Sequence, residues 1–163
     1  PAPDATLRGA ASGGALVLER TAGALGVTEA VSSGATLRLQ APGALQLAAP
    51  LAAAGSASLL AGAALTASAA GDIDAATLDV EAGAELGAAD GSRWASSGAL
   101  RVAAAGALTL GQVDAGSASL SLQATGVLAS AHGGAAPDLR GGTLRLEAAR
   151  IGSADDPLRL AAD

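Results

Sequence analysis

The residue types that could support catalysis are concentrated in one short segment, SAHGGAAPDLRGG, which begins at Ser130. His132 is the single histidine of the chain. Together with Ser130 and Asp138 it could supply a nucleophile, a general base and an acid that orients the base. The segment lacks the Gly-x-Ser-x-Gly turn that exposes a nucleophilic serine in many hydrolases. We therefore predict a solvated loop between strands at this position and no catalytic residue.

Two carboxylate pairs, Asp72 with Asp74 and Asp155 with Asp156, could contribute oxygen ligands to a cation. Calcium takes six to eight oxygen ligands, which is more than either pair supplies. A zinc site needs several histidine or cysteine ligands, and the chain has one histidine and no cysteine. The Gly-Gly-x-Gly-x-Asp repeat of calcium-binding β-rolls is also missing. We predict no metal site and no cofactor, and we interpret the acidic pairs as solubilising groups at corners of the fold.

A third set of residues could bind a partner. Trp94, in a chain without Phe or Tyr, follows Arg93 in a turn-like stretch, where an exposed indole could stack on a sugar or anchor a protein. The alternative is that Trp94 folds over a corner in a small hydrophobic cluster. Arg38, Arg101 and Arg145 each lie between two leucine or valine residues in similar short segments of this chain. They could therefore form a strip that binds an acidic glycan. A solvated face that discourages sideways aggregation is the other interpretation of these arginines.

The elements that position these residues come from an internal repeat. A Leu-x-Leu or Leu-x-Val motif recurs about every 21 residues, and a second apolar residue follows it about eight residues later. Proteins with a period of this length are solenoids, in which each repeat contacts only its neighbours. We divide the single domain, residues 1–163, into units at about 14–33, 34–54, 55–76, 77–97, 98–116, 117–140 and 141–163.

The phase of the apolar residues predicts strands, although Ala and Leu are good helix formers. Leu37, Leu39, Leu45 and Leu47 all have the same parity. A helix would place Leu37 and Leu39 on opposite sides, whereas a strand places them on one side. The sequence therefore predicts an all-β fold, a parallel β-helix solenoid of about seven coils, with Leu and Val inside and Ala and Gly at the corners.

The residue between the two inner positions of each repeat is expected to point outward. Stacking of neighbouring coils then places Asp79 beside Arg101, and such a cross-strand pair contributes about 0.2–1 kcal/mol. The predicted outward column is Val17, Arg38, Leu60, Asp79, Arg101, Ser121 and Arg145.

Charge and hydropathy narrow the possible partners. The net charge is −6 and the chain contains no Lys, so a nucleic-acid partner, which requires a positive surface, is not expected. The chain contains no apolar run of 18 residues, so the sequence predicts no membrane-spanning helix. Mean hydropathy is +0.43, which argues against disorder.

The start Pro-Ala-Pro-Asp, without Met or a visible signal peptide, leads us to expect an internal fragment of a longer protein.

Three stretches carry a family resemblance: GATLRLQAPGALQLAAPLAA, GALRVAAAGALTLGQVDAG and GGTLRLEAARIGSADDPLRL. They resemble the repeat shaft of filamentous haemagglutinin-like exoproteins, which include adhesins and contact-dependent-inhibition toxins of Gram-negative bacteria. The resemblance implies a right-handed β-helix and export by two-partner secretion through an outer-membrane partner. It also implies a secreted or cell-surface location. The Asn-rich export domain of that family has no counterpart here, because the chain contains no Asn.

These observations favour a structural shaft that projects an adhesive or toxic region away from the cell. The first alternative is a binding module that contacts a receptor or glycan of a host or neighbouring cell through the arginine strip, Trp94 or the 130–140 loop. The remote alternative is a polysaccharide-active β-helix enzyme. Such enzymes use basic and aromatic side chains in a groove, and a chain without Lys, Tyr or Phe offers few of them.

Overall fold

The computed structural model describes residues 5–153 and 157–162 of the chain, and every regular element in that part is a β-strand. The strands are parallel and stack into a β-solenoid of about seven turns, with equivalent residues roughly 21 apart. This confirms the predicted fold class. Within the same residues no helix is long and apolar enough to cross a membrane.

The strands are short, and most contain three to six residues. In chain order they are β1 (Ala5–Leu7), β2 (Ala10–Ser12), β3 (Leu16–Glu19), β4 (Leu25–Val27), β5 (Val31–Ser33), β6 (Leu37–Ala41), β7 (Leu45–Leu47), β8 (Leu51–Ala61), β9 (Leu65–Ala67), β10 (Ile73–Ala82), β11 (Leu86–Ala88), β12 (Arg93–Ser96), β13 (Leu100–Ala104), β14 (Leu108–Leu110), β15 (Gln112–Asp114), β16 (Ser119–Ala124), β17 (Val127–Ser130), β18 (Leu139–Gly141), β19 (Thr143–Glu147), β20 (Arg150–Ile151) and β21 (Leu160–Ala162).

Each turn of the solenoid has three sides. The first side is one sheet of eight strands, in the order β1-β4-β7-β9-β11-β14-β17-β20. Its register follows the repeat, because Leu25 pairs with Leu45 and Leu45 pairs with Leu65. At the spacing of parallel strands, this stack is about 35 Å long.

The second and third sides belong to one sheet of thirteen strands, because β8 and β10 continue around the corner between them. The second side contains β2, β5, the first parts of β8 and β10, β12, β15, β18 and β21. The third side contains β3, β6, the later parts of β8 and β10, β13, β16 and β19. Every interior strand is thus hydrogen-bonded on both edges, which satisfies its backbone groups.

The core is a narrow apolar column along the axis of the solenoid. On each strand the alternating leucine, valine and alanine side chains point inward and are almost completely buried in the middle turns. Burial decreases in the outer turns, where Ile151 and Leu160 are about half exposed. Leu and Ala fill the column because the three sides leave little width between them.

The corners between the third and first sides bring backbone segments of neighbouring turns into contact. The amide of Gly43 donates a hydrogen bond of 3.0 Å to the carbonyl oxygen of Gly23. A Cβ atom at Gly43 would lie 2.6 Å from that same oxygen, closer than real Cβ contacts. The glycine is therefore required by the stacking distance at this corner.

Replacing Gly43 with alanine is expected to lower the free energy of unfolding by about 1–3 kcal/mol, because the methyl group forces two turns apart. Gly87 provides the matched control, since a Cβ atom there meets nothing within 4 Å. The Gly87→Ala variant should unfold at the same or a slightly higher denaturant concentration than the parent. Equal destabilisation by the two substitutions, measured by urea unfolding with Trp94 fluorescence, would contradict the steric explanation.

Candidate functional site

Trp94 is buried, so its proposed role as a surface contact is wrong. Its side chain is 1% exposed and lies in the inner column of the second side, between Ile73 and Val113 of the adjacent turns. The indole Nε1 donates a hydrogen bond of 3.1 Å to the carbonyl oxygen of Gly71. A satisfied indole nitrogen and an apolar environment make Trp94 a core residue.

The corner between the first and second sides explains why a side chain as large as tryptophan fits there. In most early turns this corner is short, as between Leu47 at the end of β7 and Leu51 at the start of β8. It is two residues longer before Ile73 and again before Trp94. The longer corners widen the interior, and the indole fills the extra space. Of the two interpretations that the sequence left open, an exposed indole and a cluster at a corner, the structure supports the one that buries the ring.

The outward column of the third side is confirmed with one correction. Arg38 and Asp79 both pair with Ser58, so Ser58 occupies the position that we predicted for Leu60. Leu60 lies one outward position further along, between Gln40 and Glu81. The inner pair of this turn is Ala57 and Leu59. Because Leu59 and Leu60 are adjacent, the motif was assigned two residues too far along the chain, and Leu60 was predicted in place of Ser58. The observed column is Val17, Arg38, Ser58, Asp79, Arg101, Ser121 and Arg145.

Each of the three arginines in this column is exposed and lies beside a carboxylate. Arg38 Nε is 3.1 Å from Glu19 Oε1. Arg101 Nη1 is 2.9 Å from Asp79 Oδ1 and 3.9 Å from Glu81 Oε2. Arg145 Nη2 is 3.4 Å from Glu147 Oε2. The arginine strip is therefore a ladder of exposed ion pairs, in which acidic groups compete with any external anion.

The Asp79–Arg101 pair should contribute about 0.2–1 kcal/mol to stability, as cross-strand pairs on a solvated face do. A double-mutant cycle with Asp79→Ala and Arg101→Ala measures this coupling by urea unfolding. The coupling should decrease as sodium chloride is raised from 0.05 to 1 M, because salt screens exposed charges. A coupling that stays constant over this range would show that the contact is not electrostatic.

The 130–138 loop is exposed at Gly133 and at residues 135–137, as the sequence predicted, but its His132 side chain packs against the solenoid. The His132 side chain is only 15% exposed, and its ring contacts two residues of earlier turns. Nδ1 is 3.3 Å from Asp90 Oδ1, and Nε2 is 3.3 Å from the Gln112 amide nitrogen. The loop therefore lies against the second side and reaches back across two turns.

Ser130, His132 and Asp138 do not form a catalytic arrangement. The Ser130 hydroxyl accepts a hydrogen bond from the backbone amide of His132 at 2.9 Å. Asp138 is 1% exposed and pairs with Arg159, whose backbone amide also donates to Asp138 Oδ2 at 2.7 Å. The histidine ring and the aspartate thus take part in two separate contacts, both of which hold the loop.

The carboxylate pairs have different surroundings. Asp72 Oδ1 accepts a hydrogen bond of 2.8 Å from the backbone amide of Arg93, and Asp74 is exposed on the same side. Asp155 and Asp156 lie outside the described residues. In the described part of the chain, no three His, Asp or Glu side chains are grouped so that they could hold a metal ion.

A cavity of about 160 Å³ lies between the second side and the 130–138 loop, and we call it the lateral cavity. Strands β12, β15 and β18 form its floor, and the loop forms one wall. The register places Arg93 beside Gln112 and Asp114 beside Arg140. The lining residues are Arg93, Gln112, Val113, Asp114, Ala136, Pro137 and Arg140.

Asp114 is the one acidic residue among those that line the lateral cavity, and two arginines lie near its carboxylate. Burial raises its pKa, but the opposing interactions are stronger and hold the pKa below its ordinary value of 3.8. These interactions are the hydrogen bonds from the Gly116 amide, at 2.9 Å, and from Arg93 Nη2, at 3.1 Å, and the charges of Arg93 and Arg140. The folded state therefore favours the ionised carboxylate of Asp114.

Since its pKa is lower in the folded state, Asp114 contributes stability above pH 3.8, and this contribution is lost as the pH falls below that value. We expect the melting temperature of the parent to fall more steeply between pH 5 and pH 2 than that of the Asp114→Asn variant. Thermal melts followed by circular dichroism measure both curves. Parallel curves would show that the ionised form has no advantage in the fold.

Gln112, Asp114 and Arg140 could not be identified as a group from the sequence, because the strand of the second side does not recur at a constant spacing. The structure, not the spacing of the residues, brings them together with Arg93. Comparison of the chain with protein-family models, with curated proteins and with solved structures gave no match.

Proposed function

We propose that this chain is a structural spacer, a shaft segment of a large exported bacterial surface protein. The observation that supports a spacer is the uninterrupted first side, where eight parallel strands stack in register and the six inner ones repeat one buried leucine position from Leu25 to Leu128. Each turn repeats the contacts of the turn before it, so the number of turns determines the length of the rod. Such a role requires no reactive group. A distal adhesive or toxic region would be the functional end of such a protein.

The proposed surface location has separate support. The chain is acidic and contains no cysteine, and its repeats resemble those of filamentous haemagglutinin-like exoproteins. Export through an outer-membrane secretion partner belongs to this proposal. Antibodies against the 163 residues, applied to intact native cells with and without surface protease treatment, test it. Staining that appears only after the cells are lysed would contradict the proposed location.

A spacer should tolerate the loss of one whole turn. Deletion of residues 45–64 joins Ala44 to Leu65 at equivalent points of the register. The shortened chain should fold, and small-angle scattering should show a rod shorter by about 4.8 Å. In the native protein, the same deletion should leave cell attachment or toxin delivery intact.

A half-turn deletion, residues 45–54, is the matched control. It removes β7 and the second-side part of β8, so one third-side strand runs directly into the next and the ladder is broken. This variant should not fold. Loss of native activity after the whole-turn deletion, in a protein that still folds and reaches the surface, would indicate a specific binding role for this segment.

A further inference from the structure

The 130–138 loop departs from the repeat, because its contacts extend beyond the adjacent turns. In a solenoid each turn contacts only its neighbours, so an end can open one turn at a time. We propose that this loop is a strap that joins four successive turns, those of β12, β15, β18 and β21, into one unit that opens as a whole. The inference concerns the stability of the chain itself, so it does not depend on the spacer function.

The first end of the strap is the ring of His132. Its Nδ1 lies 3.3 Å from Asp90 Oδ1, at the corner before β12. Its Nε2 lies 3.3 Å from the amide nitrogen of Gln112, the first residue of β15. The backbone amide of Gly133 donates to the same Asp90 oxygen at 3.4 Å. The loop that leads into β18 is therefore attached to both of the preceding turns.

The second end of the strap is Asp138, directly before β18. Its buried carboxylate accepts a hydrogen bond of 2.7 Å from the backbone amide of Arg159 and pairs with the guanidinium group. Arg159 directly precedes β21, and its Nη2 also donates to the carbonyl oxygen of His132 at 2.8 Å. This last bond holds the residue whose ring contacts Asp90 and Gln112. The contacts from Asp90 to Arg159 thus connect all four turns.

Gly134 allows the loop to fold back on the histidine ring. A Cβ atom at Gly134 would lie 2.6 Å from both Cε1 and Nε2 of His132, closer than real Cβ contacts. An alanine there should therefore displace the ring from its two partners. A Cβ atom at the neighbouring Gly133 would meet only Asp90 Oδ2, at 3.7 Å, an ordinary contact distance. The two glycines provide matched sites, one where alanine opens the strap and one where it leaves the strap closed.

The strap has a measurable mechanical consequence. The hydrogen bonds between turns run along the rod, so a force that pulls on its two ends acts directly on the ladders. A turn of roughly 21 residues that opens alone releases about 70 Å of extended chain. Residues 90–162, which the strap encloses, should instead open together and release about 250 Å in one step.

The test stretches the full 163-residue chain from its two ends and measures the lengths of the single-molecule extension steps. The parent and Gly133→Ala should both show the step of about 250 Å. In Gly134→Ala and in His132→Ala, it should be replaced by steps of one or two turns, none longer than about 150 Å, because only the contact between Asp138 and Arg159 remains.

Three outcomes of the stretching experiment would overturn the strap. The first is a parent that opens one turn at a time. The second is a parent that opens completely in one step of about 500 Å, because the four turns would then not be a separate unit. The third is a Gly134→Ala variant that keeps the long step. A long step that is also lost in Gly133→Ala would overturn the role of the histidine ring.

Hydrogen exchange in sub-denaturing urea is the second measurement, and circular dichroism verifies that each variant is folded. In the parent, amides of β12, β15, β18 and β21 should share one dependence on urea concentration, as members of one opening unit do. Amides of β18 and β21 should exchange about threefold faster in Gly134→Ala than in Gly133→Ala, as expected when a partly exposed polar contact is lost. Separate urea dependences of the four strands in the parent, or equal exchange in the two variants, would contradict the proposal.

Discussion

Replacing Trp94 with alanine is expected to lower the free energy of unfolding by about 3–5 kcal/mol, the range observed for large-to-small substitutions of buried aromatic residues. Trp94 is the largest buried side chain in the described part of the protein, and it fills a corner that two extra residues widen. The neighbouring turns cannot close the resulting space, because Ile73 and Val113 are fixed by the parallel ladder on either side. The substitution also leaves the Gly71 carbonyl oxygen without its indole donor.

Two further variants separate volume from hydrogen bonding. Trp94→Phe keeps most of the apolar volume and loses the donor to Gly71, so it should cost about 1–2 kcal/mol. Trp94→Leu restores the residue type found at Leu51 in the same column, but it leaves the widened corner underfilled and should fall between the other two. Circular dichroism must follow these unfolding curves, because the variants contain no tryptophan. A Trp94→Ala variant as stable as the parent would place the indole outside the core.

The strand pattern could be predicted because two of the three sides keep a constant spacing. The corner from the third side to the first has the same length between Ala41 and Leu45 as between Ala104 and Leu108. Constant spacing makes leucine positions recur visibly, so the period of the solenoid followed from this recurrence and the strands followed from the parity of the leucines.

The second side could not be predicted in the same way. Its strand begins four residues after Val27, two after Leu110 and nine after Ser130. This variation removes the phase relation that identified the other two sides, so Trp94 looked like a turn residue. The same variation hid the lateral cavity, since its floor consists entirely of strands of the second side.

Pairs within one column were easier to predict than contacts of the loop. The Asp79–Arg101 contact follows directly once the register is known. The contact of His132 with Asp90 joins residues 42 positions apart, which no nearest-neighbour repeat contains. Loop contacts of this kind depend on how a long excursion folds back, and the repeat places no restriction on that path.

Arg159 lies outside the 130–138 loop, but its guanidinium group is the counter-ion of the buried Asp138 carboxylate in that loop. The guanidinium group contacts both carboxylate oxygens, with Nη2 at 3.3 Å from Oδ1 and Nε at 3.4 Å from Oδ2. It also donates to the carbonyl oxygens of Gly134 and His132, the second at 2.8 Å. One side chain thus satisfies a buried charge and two loop carbonyl groups, and it ties the loop to the last described turn.

Removal of this side chain by Arg159→Ala should therefore cost about 2–3 kcal/mol, because a carboxylate that is 1% exposed loses its counter-ion. Asp138→Asn should cost less, about 1 kcal/mol, because Arg159 is 38% exposed and water can solvate its charge. Urea unfolding followed by Trp94 fluorescence measures both values. A larger effect of the aspartate substitution would contradict the argument from burial.

Hydrogen exchange locates the effect of the Arg159→Ala substitution. Amides of the loop and of Leu160–Ala162 should exchange faster in this variant, while those of the early turns should not change, because each turn depends mainly on its neighbours. Arg159→Lys is the matched control for charge. Lysine keeps the positive charge but cannot reach two carboxylate oxygens and two carbonyl groups together, so it should restore less than half of the lost stability. Full restoration by lysine would mean that charge alone, and not the fork of hydrogen bonds, holds the loop against the solenoid.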